Sequence, residues 1–472
     1  MGISSKLSVA LLGGALLSLP LTAQADTQDT SARLAALEAR LAAQDAELAS
    51  LRGQKSESWL NERRAEEVKA LVRDVLADAD TRASFQGSGT NAGYKNGFFI
   101  ASEDGKFTLR TNVLGQIRYV YSDSKNTGGA IGVSPTPAGG DETTNGFSLR
   151  NYRLDFRGNA ITPNLTYRLR LTGGPSSNGI TYDHAYIGYK IADGLNLTVG
   201  NFKPKFLREE NVSGYRQLAA ERSFTSDFFT VDYTQGAELS YDLNDKIRLS
   251  AAFHDGSYAG STEFNADRTD FAFVGRAEFL VKGKWNQFND FTSWSKDDFG
   301  LLIGVGAGYE KGEGATTNPD VFKYTADISA EVKGLTLFAA IQGQTLHSNY
   351  TGPGNTVAEY RNANQLGIVV QAGYHVIPDK LEVFGRYEWI DFDGVYHRAG
   401  STTNTGNPSK LDTLSIATIG ANYYLSKHNA KFTGQALYAF DPVPANSAGS
   451  GALVASPRSG QLALVGQFQF EF

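Results

Sequence analysis

The chain has 472 residues, no cysteine, one methionine and a formal net charge of -6. These exclude a disulfide framework, a thiol nucleophile and a cysteine-ligated metal, and they argue against nucleic acid as the dominant partner. The 51 glycines, 22 tyrosines and 28 phenylalanines, in a chain of mean hydropathy -0.30, suit alternating strands better than a helical core.

Residues 1–25 have the layout of a secretory signal peptide. Lys6 supplies the positive start, Leu7 to Leu21 an apolar stretch, and Ala23-Gln24-Ala25 a cleavage site. A transmembrane anchor is the competing reading, disfavoured because the run is short and interrupted by Gly and Ser. No later stretch is a long apolar run free of charge, so any membrane residence must use strands.

Residues 26–82 read as a coiled-coil segment. Leu34, Leu37, Leu41, Gln44, Leu48 and Leu51 alternate spacings of three and four, which is an a/d heptad seam. Gly53 interrupts it, and Val68, Leu71, Val72, Val75 and Leu76 give a second apolar face. A single amphipathic helix is the alternative to a parallel coiled coil. Residues 83–105 are expected to be a flexible linker, on the strength of the Gly-, Ser- and Asn-rich stretch Ser84 to Gly93.

From Lys106 the period changes to two. Tyr152/Leu154/Phe156, Leu165/Tyr167/Leu169/Leu171, Ile247/Leu249/Ala251/Phe253 and Leu366/Ile368/Val370/Ala372/Tyr374 are examples among about sixteen alternating segments. Short turns at Thr162-Pro163-Asn164, Asp193-Gly194, Asn244-Asp245, Lys333-Gly334, Pro378-Asp379 and Lys427-His428-Asn429 alternate with long polar connections. The stretch 283–297 is too long for a short turn and finds no place in this scheme. The last strand alternates Leu462, Leu464, Phe468, Phe470 and Phe472 with glutamines, and a terminal Phe resembles the signal read by the outer-membrane assembly machinery.

The expected fold is therefore all-β: a sixteen-stranded antiparallel transmembrane β-barrel over 106–472, with an N-terminal α-helical coiled coil. The barrel is expected in a Gram-negative outer membrane, with the coiled coil in the periplasm. A soluble β-sandwich competes, since it too alternates, but aromatics near strand ends suit the girdles of a membrane barrel.

If the apolar residues face lipid, the lumen receives Arg110 and Arg118 from the first strand, Arg153 and Arg157 from the second, and Arg168 and Arg170 from the third. Asp155 is the one nearby lumenal acid that alternation gives these strands. Such a column of guanidinium groups can pass an anion from one bidentate site to the next. The alternative is a wall stiffened by paired charges, and Arg248, Arg276 and Arg386 fit it, since Glu238, Glu278, Asp327, Glu331, Glu382 and Glu388 share their wall. Enzymatic activity is not expected. Asp183-His184 and His254-Asp255 are adjacent, and neighbours in a strand point to opposite faces, so neither makes a dyad. No histidine spacing suggests a metal site, and no cofactor is expected.

One stretch carries a family resemblance. Gly200, Phe202 and Lys203, then Glu209, then Glu221, Arg222 and Ser223 resemble the phosphate-selective porin O/P family, with its G-x-F-K-x-P-F-like start, a following acid and a later E-R-S. Lys205, between Pro204 and Phe206, departs from the usual Pro-Phe pair. The resemblance covers 106–472 and implies a trimeric sixteen-stranded porin whose third external loop folds inward to narrow the pore. It makes Lys203, Lys205, Arg208 and Arg222 constriction candidates; the alternative is a packing loop with Glu–Arg pairs. The implied function is passive conduction of small anions, phosphate or polyphosphate. The implied partners are small anions, outer-membrane lipid, two further copies of the chain, and the assembly machinery through Phe472. A general diffusion porin, or a structural envelope protein tethered by its coiled coil, stays open beside it.

Overall fold

The structure is a computed structural model that describes residues 35, 36, 38–46, 69, 90–95, 97–124, 142–174, 179–263, 269–312, 319–347, 362–394, 412–444, 452–454 and 459–472. The chain divides into two units, Met1–Ser88 and Gly89–Phe472. In the first, the described residues are helical and exposed, Leu41 of the heptad seam among them. Gln44 of the seam is described with it, while the signal segment and the seam positions Leu34, Leu37, Leu48 and Leu51 lie outside the described residues.

The second unit is built of strands. A hairpin of β1 (Thr90–Tyr94) and β2 (Phe98–Ser102) precedes β3 (Thr108–Ser124), β4 (Glu142–Ala160), β5 (Thr162–Gly173), β6 (Thr181–Ala192), β7 (Leu195–Phe202), β8 (Thr234–Asn244) and β9 (Ile247–His254). Then follow β10 (Thr269–Lys282), β11 (Gly300–Gly312), β12 (Asp320–Val332), β13 (Leu335–His347), β14 (Ala363–Ile377), β15 (Leu381–Asp391), β16 (Thr413–Ser426), β17 (Ala430–Ala439) and β18 (Gln461–Glu471). Each of β3 to β18 pairs antiparallel with its sequence neighbours. The last strand then pairs with the first, Leu462↔Asp123 to Glu471↔Leu114, and closes a sixteen-stranded barrel. Closure leaves no unpaired edge, as a membrane requires.

Alternation sorts the side chains. Ile117, Phe147, Leu149, Ile187 and Ile419 stand exposed on the outside, where lipid would cover them. Gln116, Arg118, Thr325, Gln371 and Gln435 are buried inside. The β1–β2 hairpin corrects the linker expected at 83–105. Residues 108–111 of β3 lie below the reach of β18, and β2 pairs with that otherwise open edge, Phe98↔Thr111 to Ala101↔Thr108.

The short turns gather at one end, where Ile161, Gly194, Lys333, Gly334, Asp379 and Lys427 take positive φ to reverse the chain tightly. The stretch left without a place, 283–297, belongs to the connection 283–299, which joins β10 to β11 at this same end and folds into the barrel. Its Phe288, Phe291 and Trp294 are buried, and Phe291 packs 4.9 Å from Phe338 of β13. From the other end, the connection 203–233 between β7 and β8 also turns inward. Val212, Leu218 and Ala219 of that connection, Phe291 of the other, and Phe338, Ala340, Val369 and Phe384 of the wall form one apolar cluster inside the barrel. Two segments from opposite ends thus meet in the lumen.

Candidate anion pathway

The inward connection is fixed by its own chemistry. Gly200 opens it with φ +133°, and a Cβ there would lie 2.4 Å from the Ala185 carbonyl oxygen, so the motif position demands glycine. The chain then forms α1 (Arg208–Asn211) and α2 (Phe224–Phe229). Ser223 caps α2 by accepting from the Ser226 N–H at 3.0 Å, while the Ser223 N–H and Oγ donate to Glu209 at 2.6 and 2.5 Å. Phe206, Phe224, Phe228 and Phe229 pack with Ile390, Leu414, Leu437 and Val465 of β15 to β18. Wall groups satisfy the loop backbone. Arg276 donates to the Phe206 carbonyl at 2.9 Å, Lys431 to Gln217 at 2.8 Å, Asn422 to Leu218 at 2.8 Å, and Lys323 to Thr230 at 3.0 Å. The loop therefore fills the β10–β18 side and leaves water-sized space along β3 to β9.

Two cavities lie along that side, and a third, inner one lies at the short-turn end. An outer one of about 550 Å³ and a middle one of about 540 Å³ share Arg153, Lys203, Glu210, Gly214, Arg222 and Tyr233, which mark the constriction between them. A Cβ on Gly214 would lie 3.6 Å from Arg222 and 3.9 Å from Arg153, so two guanidinium groups converge on one point of the loop. Arg222 donates to the Glu209 and Val212 carbonyls at 3.0 and 2.8 Å, with Glu210 at 3.5 Å. Arg153 reaches Asp183 only at 3.9 Å, and its Nε has no hydrogen-bond partner. Lys203 lies 4.6 Å from the Tyr233 ring centre and pairs with Glu210 and with Asp232, the latter at 2.7 Å. Burial pulls its ammonium down, but Asp232 and Glu210 outweigh burial and hold it above the ordinary lysine range.

The middle cavity is lined by ten arginines and lysines against four carboxylates. Arg157 belongs to it and donates to Asn112 at 3.1 Å, with no ion pair among the described residues. Arg110 stands in register with Arg157, and Arg157 with Arg168, so three guanidinium groups cross three adjacent strands. Arg168 is paired with Asp155 at 2.8 and 2.7 Å, and Arg170 with Asp183 at 2.6 and 2.8 Å. Lys205 is half-exposed and 3.8 Å from Glu238. Arg208 borders the cavity but donates to the Phe288 carbonyl, an anchoring role.

Two sequence expectations need correction. Arg118 does face the lumen, yet it is buried and committed to Glu221 at 2.7 Å, and it lines neither the outer nor the middle cavity. Arg150, two residues before the outward Tyr152, joins it on Glu221. Burial pushes the Glu221 carboxyl up, but Arg150 and Arg118 outweigh it and hold it below the usual carboxylate range. A bulge between Gln116 and Ile117 explains Arg150, because it breaks the two-residue period of β4. A second bulge, opposite Arg170 and Leu171, does the same to Asp183 in β6. Asp183 and His184 therefore share a face, 3.4 Å apart, instead of opposing each other, and Asp183 becomes a second lumenal acid engaged by Arg170. The expected pairing of the far wall holds for Arg276 with Asp327 and Arg386 with Glu388.

A closed sixteen-stranded barrel with an inward loop and open space beside it is an outer-membrane porin, a channel rather than an enzyme. The model of the family "Phosphate-selective porin O and P" matches residues 126–439, and the chain belongs to that family. Among solved structures, OmpF of Salmonella typhi in complex with daunomycin aligns with a TM-score of 0.50 at 14% identity, over 80% of this chain and 100% of that one. OprB of Pseudomonas putida aligns with a TM-score of 0.50 at 11% identity, over 77% of this chain and 94% of that one. At such identities the likeness is one of fold. No curated protein sequence matches the chain.

Proposed function

We propose that this porin passively conducts small inorganic oxyanions, phosphate or short polyphosphate, along the β3–β9 side of its lumen. The observation that carries the reading is the middle cavity, where ten basic side chains face four carboxylates behind the Arg153–Lys203–Arg222 constriction. Guanidinium N–H groups there replace part of an oxyanion's hydration shell, and Arg157, Arg168 and Arg170 give it several weak stations instead of one trap. The pairs Arg168–Asp155 and Arg170–Asp183 temper the field without filling the space. Those same pairs favour a second reading, a general diffusion porin whose arginines stiffen the wall.

In this proposal residues 1–25 are a removed signal peptide and 26–82 a periplasmic coiled coil. Three copies of the barrel associate in outer-membrane lipid, and Phe472 is read by the assembly machinery. Chloride current through single channels, titrated with phosphate, tests the function. Graded block is expected at phosphate concentrations well below chloride. Block only at equal concentration would favour the general diffusion porin.

A further inference from the structure

The aromatic segment 283–299 does more than pack the base of the barrel. The two residues that line both the middle and the inner cavity are Arg216, from the inward loop, and Asn289, from this segment. Both therefore border the junction between those cavities. The inner cavity, about 860 Å³, opens at the short-turn end.

The two segments are joined at this junction. The Phe291 N–H donates to the Arg216 carbonyl at 3.3 Å, Arg208 donates to the Phe288 carbonyl, and the Arg208 guanidinium lies 5.3 Å from the Phe291 ring centre. Further along, Ser295 donates to the Asp379 carboxylate at 2.8 and 2.6 Å, and the Gly334 N–H donates to Ser293 Oγ at 3.2 Å. These bonds seat the segment on the β12–β13 and β14–β15 turns, so it is held in place as the wall is. The Asn289 side chain stays exposed and the Arg216 side chain half-buried.

We infer that residues 283–299 form a second, inner filter of the pore, in which Arg216 contacts the passing oxyanion and Asn289 narrows the opposite side. The inference rests on the anion-conducting reading above. It places two filters in series, Arg153, Lys203 and Arg222 outside and Arg216 inside, with the basic chamber between them. An oxyanion in the chamber is then repelled onward by the next one entering, which keeps tight sites from becoming traps.

The chain has no cysteine, so Asn289→Cys introduces a single thiol into the full-length porin. In a planar bilayer, an anionic methanethiosulfonate reagent added from the short-turn side should lower chloride conductance at least about twofold and move the zero-current potential toward cations. A cationic reagent of similar size should leave that preference intact or increase it. Arg216→Gln should weaken anion preference without any reagent. Equal effects of the two reagents would mean a steric neck and no filter. A fully modified thiol with unchanged current, or a thiol that never reacts in a conducting channel, would remove Asn289 from the path. If the unmodified porin prefers cations, the conduction reading fails instead, and the two failures stay distinct.

Discussion

Replacing Arg276 with alanine should destabilise the porin by about 3–5 kcal/mol, among the largest effects of any single substitution in the chain. Arg276 and Asp327 are both nearly inaccessible and share two hydrogen bonds, at 2.7 and 3.0 Å. Truncating the arginine strands a carboxylate away from water and removes the donor to the Phe206 carbonyl. The inward loop loses its tie to β10, so unfolding at lower denaturant should be accompanied by noisier single-channel current. Removing Asp327 as well should recover much of the lost stability, because the stranded charge goes with it. Denaturant titration of both variants in detergent checks this. A single variant that unfolds at the wild-type midpoint would show that the buried pair does not hold the loop.

Lys203→Gln should cost most of the anion preference. The substitution removes one of three cations at the constriction and leaves Glu210 and Asp232 without their shared partner. Phosphate block of chloride current should weaken about tenfold or more, equivalent to about 1.4 kcal/mol. Lys203→Arg keeps the charge and should remain near wild type in sign of selectivity. Equal loss in both variants would mean that the shape of the lysine, and not its charge, matters there.

Much of the barrel was legible because lipid and lumen impose opposite demands on alternate residues. The period of two located the strands, and the turn chemistry at Asp193-Gly194 and Lys333-Gly334 marked the short-turn end. Alternation failed where the backbone itself broke period. Leu149 and Tyr152 both face outward although three residues apart, and Tyr182 and Ile187 both do so although five apart. Odd spacings between outward residues were the signal of the two bulges, and with it Arg150 and Asp183 would have been placed in the lumen.

Loops carry no such parity, so Lys203 and Arg222 came from family resemblance alone, and Arg208 could not be recognised as an anchor. The 283–299 segment did carry a readable mark. Trp285, Phe288, Phe291 and Trp294 recur every three residues, which an exposed polar turn has no use for. Trp285 and Phe288 lie in its 3-10 turn, Trp285–Asn289, and the burial of Phe288, Phe291 and Trp294 explains the aromatic content.

The zero-current potential of the unmodified porin across a potassium chloride gradient tests the anion pathway most directly. A potential near the chloride equilibrium value is the predicted result, since the passage offers ten basic groups to four acidic ones in its middle cavity. A potential near zero, or of the sign set by potassium, would contradict it and leave the arginines as wall braces.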